Sequence, residues 1–82
     1  MFKRVHDFDC SNCKTLKDLA GAPWTCDGHF NCSGCDQLTD LVLGPHYVGG
    51  HYSCKGCNGL KTLEGAAEQV GVAFHCDKCI NL

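Results

Sequence analysis

The sequence predicts a repeat solenoid: short parallel β-strands stacked one per 22-residue coil, mostly β and loop, with at most single helical turns. Three observations carry this. Four C-x-x-C pairs begin at Cys10, Cys32, Cys54 and Cys76, each 22 residues after the one before. An aromatic stands two residues ahead of every first cysteine, at Phe8, Phe30, Tyr52 and Phe74. Leucine follows six residues after it, at Leu16, Leu38, Leu60 and Leu82, and nine after it at Leu19, Leu41 and Leu63. A period of this length marks a unit that cannot bury its own apolar face and must stack on its neighbours.

Within one unit, the stretch from the aromatic to the first cysteine alternates apolar, polar, apolar, as in "FNC" and "YSC". That is the period of a half-buried strand. With every unit in register, like residues are expected in ladders about 4.8 Å apart. The leucines follow the cysteine pair, and "GAP", "LGP" and "GAA" at 21–23, 43–45 and 65–67 then mark a bend. An apolar position recurs at Cys26, Val48 and Val70, and the chain returns to the next aromatic through "CDGHF", "VGGHY" and "VGVAF". "LEGAAEQVGV" is expected to hold about one helical turn, limited by glycines that cost about 1 kcal/mol each in a helix interior. Residues 1–82 thus read as one solenoid of about three and a half coils. Phe2 and Val5 are expected to fold over the first coil, and the fourth unit stops in its middle at Leu82.

Composition narrows the function. A chain of 82 residues has a marginal core and needs a staple or a partner. Its nine cysteines have three physical explanations: disulfides, a metal, or small buried hydrophobes. "MFKRVHDFDC" lacks the apolar run of a signal peptide, and no stretch is long enough to span a membrane. A reducing, cytoplasmic location is therefore expected, which disfavours structural disulfides. Net charge is −2 with scattered Lys and Arg, so binding driven by phosphate neutralisation is not expected.

The unit "FNCSGCDQLTDL" resembles the strand-bearing half of a leucine-rich repeat, of the variety in which cysteine takes the place of a buried asparagine. The resemblance puts Phe30 and Cys32 at inward strand positions, Cys35 in the asparagine place, and Leu38 and Leu41 in the rest of the inward set. The connectors are similar to those of short leucine-rich-like repeats of bacterial and phage proteins. Aromatics stand where that family has strand leucines. The family supplies generic binding scaffolds, so the resemblance implies a binding role.

Two readings compete for the cysteines. In one, Cys10 and Cys13 pair with Cys32 and Cys35, and Cys54 and Cys57 with Cys76 and Cys79, as two four-cysteine zinc sites. C-x-x-C, eighteen residues, C-x-x-C is a zinc-ribbon spacing, and structural zinc adds apparent binding energy on the order of 10–16 kcal/mol. In the other, preferred reading the cysteines are reduced thiols filling the core, and no cofactor is needed. The period extends to Phe, Leu, Val and Gly, which a ribbon does not require. Cys26 falls where other units have valine, so cysteine substitutes for a hydrophobe there. Dithiol redox catalysis is weaker, because no helix N-terminus or cation follows the pairs to lower a thiol pKa.

On the outward strand face, His29 and His51 share a register and are expected to stack, whereas His6, His46 and His75 fall outside the pattern. His29, Asn31, His51 and Ser53 are the candidate binding residues at the centre of that face. The connector side offers the alternative surface, with Trp24, His46 and Tyr47 as aromatic anchors of the kind found at interface hot spots. Trp24 has a second reading, as a packing residue covering the first coil. No catalytic constellation is present: no serine–histidine–acid set, no phosphate loop, no repeated pair of carboxylates. The expected function is a small non-enzymatic protein-binding module. The phage-like connectors suggest an inhibitor of a host enzyme or defence complex, acting in the host cytoplasm. Its partner is a protein, or a second copy stacked on the open C-terminal coil. The alternative is a zinc-binding structural protein, associated with nucleic acid.

Overall fold

The computed structural model describes residues 4–82. They form a β-solenoid of about three turns, with strands stacked in parallel about 22 residues apart and no helix. The proposed contribution of Phe2 to a cap lies outside the described residues.

Each coil carries two very short strands where the sequence reading placed one. They are β1 (Arg4–Val5) and β2 (Phe8–Asp9), β3 (Thr25–Cys26) and β4 (Phe30–Asn31), β5 (Tyr47–Val48) and β6 (His51–Ser53), β7 (Gln69–Val70) and β8 (Ala73–His75). They build two parallel four-stranded sheets, ordered β1-β3-β5-β7 and β2-β4-β6-β8. The second is the expected ladder, pairing Phe8 with Phe30, Phe30 with Tyr52 and Tyr52 with Phe74. The first is built on the recurring apolar position, pairing Val5 with Cys26, Cys26 with Val48 and Val48 with Val70. Glycine-containing bends join the two strands of the second, third and fourth coils, and His6 and Asp7 join those of the first. Gln69–Val70 is strand, so the single helical turn expected nearby does not form. Serving a ladder on the preceding coil satisfies more backbone groups than one isolated turn would.

Hydrogen bonding between coils continues past the strands into the cysteine loop. Cys10 N donates to Asn31 O (2.8 Å), Cys32 N to Ser53 O (2.8 Å) and Cys54 N to His75 O (2.9 Å). Two residues on, Asn12, Gly34 and Gly56 donate to Ser33, Lys55 and Asp77 at 2.7–3.0 Å. The second intervening residue of every C-x-x-C is left-handed: Asn12 (φ 60°), Gly34 (73°), Gly56 (66°) and Lys78 (63°). Glycine and asparagine accept this conformation most readily, and they hold three of the four positions. A turn then closes with the amide of Leu16, Leu38, Leu60 or Leu82 on the carbonyl of Cys13, Cys35, Cys57 or Cys79 (3.0–3.2 Å).

The core is a set of columns along the solenoid axis. Phe30, Tyr52, Cys32, Cys54, Cys35, Cys57, Leu38, Leu60, Leu41, Val48 and Cys26 are all fully buried. The aromatic column is continuous, with ring centroids 5.6, 4.9 and 4.8 Å apart from Phe8 through Phe30 and Tyr52 to Phe74. Burial is complete in the middle coils and partial in the outer ones, as stacking by neighbours requires. Val5 packs against this core, while Leu63 and Leu82 are exposed.

Candidate functional site

The cysteines form a structural lattice. In the second, third and fourth coils the second cysteine of the pair plugs the loop of the preceding coil, whereas Cys13 of the first coil is exposed. Cys35 Sγ donates to Cys10 O (3.1 Å), Cys57 Sγ to Cys32 O (3.1 Å) and Cys79 Sγ to Cys54 O (3.0 Å). Amides of the same loops point back at the sulfur: Cys13 N at Cys35, and Cys35 N and Gly34 N at Cys57. The first cysteine of each loop neighbours the plugging thiol, in the pairs Cys10–Cys35, Cys32–Cys57 and Cys54–Cys79, and Cys54 Sγ donates to His75 O (3.4 Å). All nine cysteines are free thiols.

Burial pushes the Cys10 thiol up to about 12 and Cys26 to about 11, and holds Cys54 far above the ordinary thiol range. Within the Cys32–Cys57 pair the shared hydrogen bond holds Cys32 protonated and favours charge on Cys57. Cys57 is nevertheless enclosed, with no exposed surface for a substrate to reach. Among the described residues no three His, Cys, Asp or Glu are grouped to hold a metal ion. A metal-bound thiolate at Cys35, Cys57 or Cys79 would lose its proton and with it the bond to the carbonyl.

The outward histidines are more organised than the sequence reading allowed. Asp7 Oδ1 accepts from His29 N (2.8 Å), and His29 Nδ1 accepts from His51 N (2.9 Å). His29 therefore carries its proton on Nε2. The His29 and His51 rings lie 5.1 Å apart, as expected for a shared register. His75, set aside as off-pattern, joins them. Its ring lies 5.1 Å from that of His51, and its Nε2 is 2.9 Å from His51 Nδ1. In the register of His51 the fourth coil has Ala73, two residues from His75 on the same side of β8. His46 is also part of a column, stacked 4.1 Å from Trp24 with its Nδ1 4.0 Å from Glu68 Oε2. Trp24, His46 and Glu68 are 22 residues apart, so this column was readable from the sequence and was overlooked.

The rest of the strand face turns its polar atoms toward itself. Asn31 Oδ1 accepts from Ser33 N (3.0 Å), and the Ser33 and Ser53 hydroxyls bond each other (2.8 Å). Asn31 and Ser53 face each other across β4 and β6, both half-buried.

The connector side is the more open and apolar surface. Trp24 is 43 % exposed, Leu43 63 %, and Val42 and Tyr47 39 % each. A cavity of about 270 Å³ lies there, lined by Ala22, Pro23, Trp24, Leu43, Gly44 and His46 among others. Leu43 is left-handed (φ 72°) in a register where the other coils have Gly21 (87°) and Gly65 (88°). The sequence reading missed Leu43, although its substitution for glycine in "LGP" was visible. Trp24 lines this cavity beside its stack with His46, which gives it a role in the surface as well as in packing.

No family model, no curated protein and no solved structure matches the chain.

Proposed function

We propose that this chain is a non-enzymatic protein-binding module, a cysteine-containing solenoid of the leucine-rich-repeat kind, that binds through its connector side. One observation carries the reading. At position 43 the chain keeps an exposed leucine in a left-handed conformation that the equivalent coils give to glycine. A left-handed non-glycine residue costs roughly 1–2 kcal/mol, and an exposed leucine returns nothing to the core. Folding alone would favour glycine. Beside it stand Trp24 and Tyr47, the residue types that dominate interface hot spots. The strand-face candidates His29, Asn31, His51 and Ser53 support the reading less, since their polar atoms are engaged along the ladder. The cysteines support it because most of them are enclosed in the core, which keeps those thiols from a substrate, and the packing accounts for them without zinc. Inhibition of a host enzyme or defence complex in the cytoplasm is the use that the phage-like connectors favour.

The test is affinity capture by wild-type protein and by Leu43→Gly and Trp24→Ala variants. Leu43→Gly is expected to raise stability by about 1 kcal/mol while lowering partner affinity at least tenfold. Undiminished capture by both variants would overturn the connector-side reading. The last coil offers a second surface, with Ile80 75 % and Leu82 49 % exposed. A second copy stacked coil on coil is the expected occupant, and sedimentation at micromolar concentration that finds only monomer counts against it.

A further inference from the structure

We propose that His51 and His75 form a binding site for a single divalent transition-metal ion, such as Ni²⁺ or Zn²⁺, on the outer face of β6 and β8. The site is separate from the cysteine lattice and from the connector surface. His51 Nδ1 and His75 Nε2 lie 2.9 Å apart, and their rings stack at 5.1 Å. Metal–imidazole bonds of about 2.0–2.1 Å meeting at a right angle place their two nitrogens roughly 2.9 Å apart, and at a tetrahedral angle roughly 3.3 Å apart. The pair therefore holds the separation that neighbouring ligands of one ion require, without backbone movement. Neutral imidazole suits borderline divalent ions.

The local structure explains why these two rings meet. Across the β6–β8 ladder His51 pairs with Ala73 and Ser53 with His75. An alanine in the histidine register leaves room for the His75 ring to lie diagonally beneath His51. The His29 ring lies tilted against the other side of His51, but its Nδ1 is held by His51 N, so it orients the pair rather than completing it. His51 Nδ1 and His75 Nε2 now share one proton. An arriving ion takes both lone pairs, and that proton moves to the other nitrogen of its own ring, so the neutral pair loses no net proton. Among the described residues no third His, Cys, Asp or Glu is grouped with them, so water would fill the remaining positions.

The experiment is a titration of the reduced protein with nickel chloride, followed by NMR of the imidazole protons and by absorption. The expected result is paramagnetic broadening centred on His51 and His75, with no thiolate-to-metal charge-transfer band. His75→Gln and His51→Gln are each expected to weaken binding at least about tenfold with unchanged melting, while His46→Gln on the connector side leaves it unchanged. Charge-transfer absorption with broadening at the cysteines would overturn the proposal. So would equal affinity in wild type and in the His51→Gln/His75→Gln double variant. Should His51→Gln alter folding, His75→Gln decides the matter, because the His51 ring lies between those of His29 and His75 whereas, among the described residues, the His75 ring meets only that of His51.

Discussion

Tyr52→Phe is expected to stabilise this protein. Tyr52 is fully buried in the aromatic column, and its hydroxyl has no hydrogen-bond partner among the described residues. Burial pushes its phenol far above the ordinary range, as an enclosed hydroxyl should be. The three other rings of the column, Phe8, Phe30 and Phe74, are phenylalanines, so the site accepts that ring without rearrangement. An unsatisfied buried hydroxyl costs about 1–3 kcal/mol, and its removal recovers that amount. Against this stands the void left by one oxygen. At about 24 cal/mol per Å³ and roughly 10 Å³ this is a few tenths of a kcal/mol. The net gain is about 1–2 kcal/mol. For a domain of this size 1 kcal/mol moves Tm by about 4–8 °C, so the variant should melt roughly 5–15 °C higher. Thermal unfolding followed by circular dichroism under reducing conditions, with urea titration as a second measure, reads the effect. A variant that melts lower than wild type would show that the hydroxyl has a partner, and that the column is not packed as described.

Leu38→Ala, which removes a fully buried core side chain, should cost about 2–5 kcal/mol and leave the chain largely unfolded at 37 °C by circular dichroism. Maleimide labelling of native, reduced protein at pH 7 should modify the exposed Cys13 first, with all nine thiols reacting only after unfolding. Rapid labelling of Cys32 or Cys57 would refute the enclosed lattice. Stability should fall in alkali. Burial raises Cys26 to about 11 in the folded chain, against about 8.5–9 when unfolded, so its contribution is intact below about pH 8.5 and lost as pH rises toward 11. At about 1.4 kcal/mol per unit this amounts to roughly 3 kcal/mol, and Cys26→Val, matching Val48 and Val70 of the other coils, should flatten that part of the pH profile.

The coil period and the core were legible because each buried column repeats one residue type: the aromatics from Phe8 to Phe74, the first and second cysteines, and Leu38 with Leu60. The β1-β3-β5-β7 sheet was hidden because its strands are two residues long and only one residue of each packs into the core. Val5, Cys26, Val48 and Val70 repeat, but their neighbours Arg4, Thr25, Tyr47 and Gln69 share nothing that would announce a strand. Two residues are too few for an alternation to show. The expected helical turn near Ala66 failed for the related reason that cross-coil pairing outweighs local propensity. His75 was missed because its position depends on what Ala73 lacks. The connector surface was half seen: Trp24 and Tyr47 announced themselves as aromatics, whereas Leu43 is meaningful only once its left-handed backbone is known.

The spacing of the cysteine pairs has a different meaning in this fold from the one it has in a metal knuckle. A knuckle brings residues i and i+3 of one pair onto a common ion. Here the partners are i and i+25, one coil plus three residues: Cys10 with Cys35, Cys32 with Cys57, Cys54 with Cys79. The left-handed residue between the two cysteines folds the chain back after the strand, so the first thiol stays in its column while the second drops into the loop of the coil before. There it meets a backbone carbonyl that no strand partner satisfies and amides that sulfur can accept. Asparagine could make these bonds with more polar atoms to satisfy; cysteine makes fewer and brings an apolar volume to a small core. The same C-x-x-C that suggests a metal site is thus also the device by which the second, third and fourth coils lock onto their predecessors.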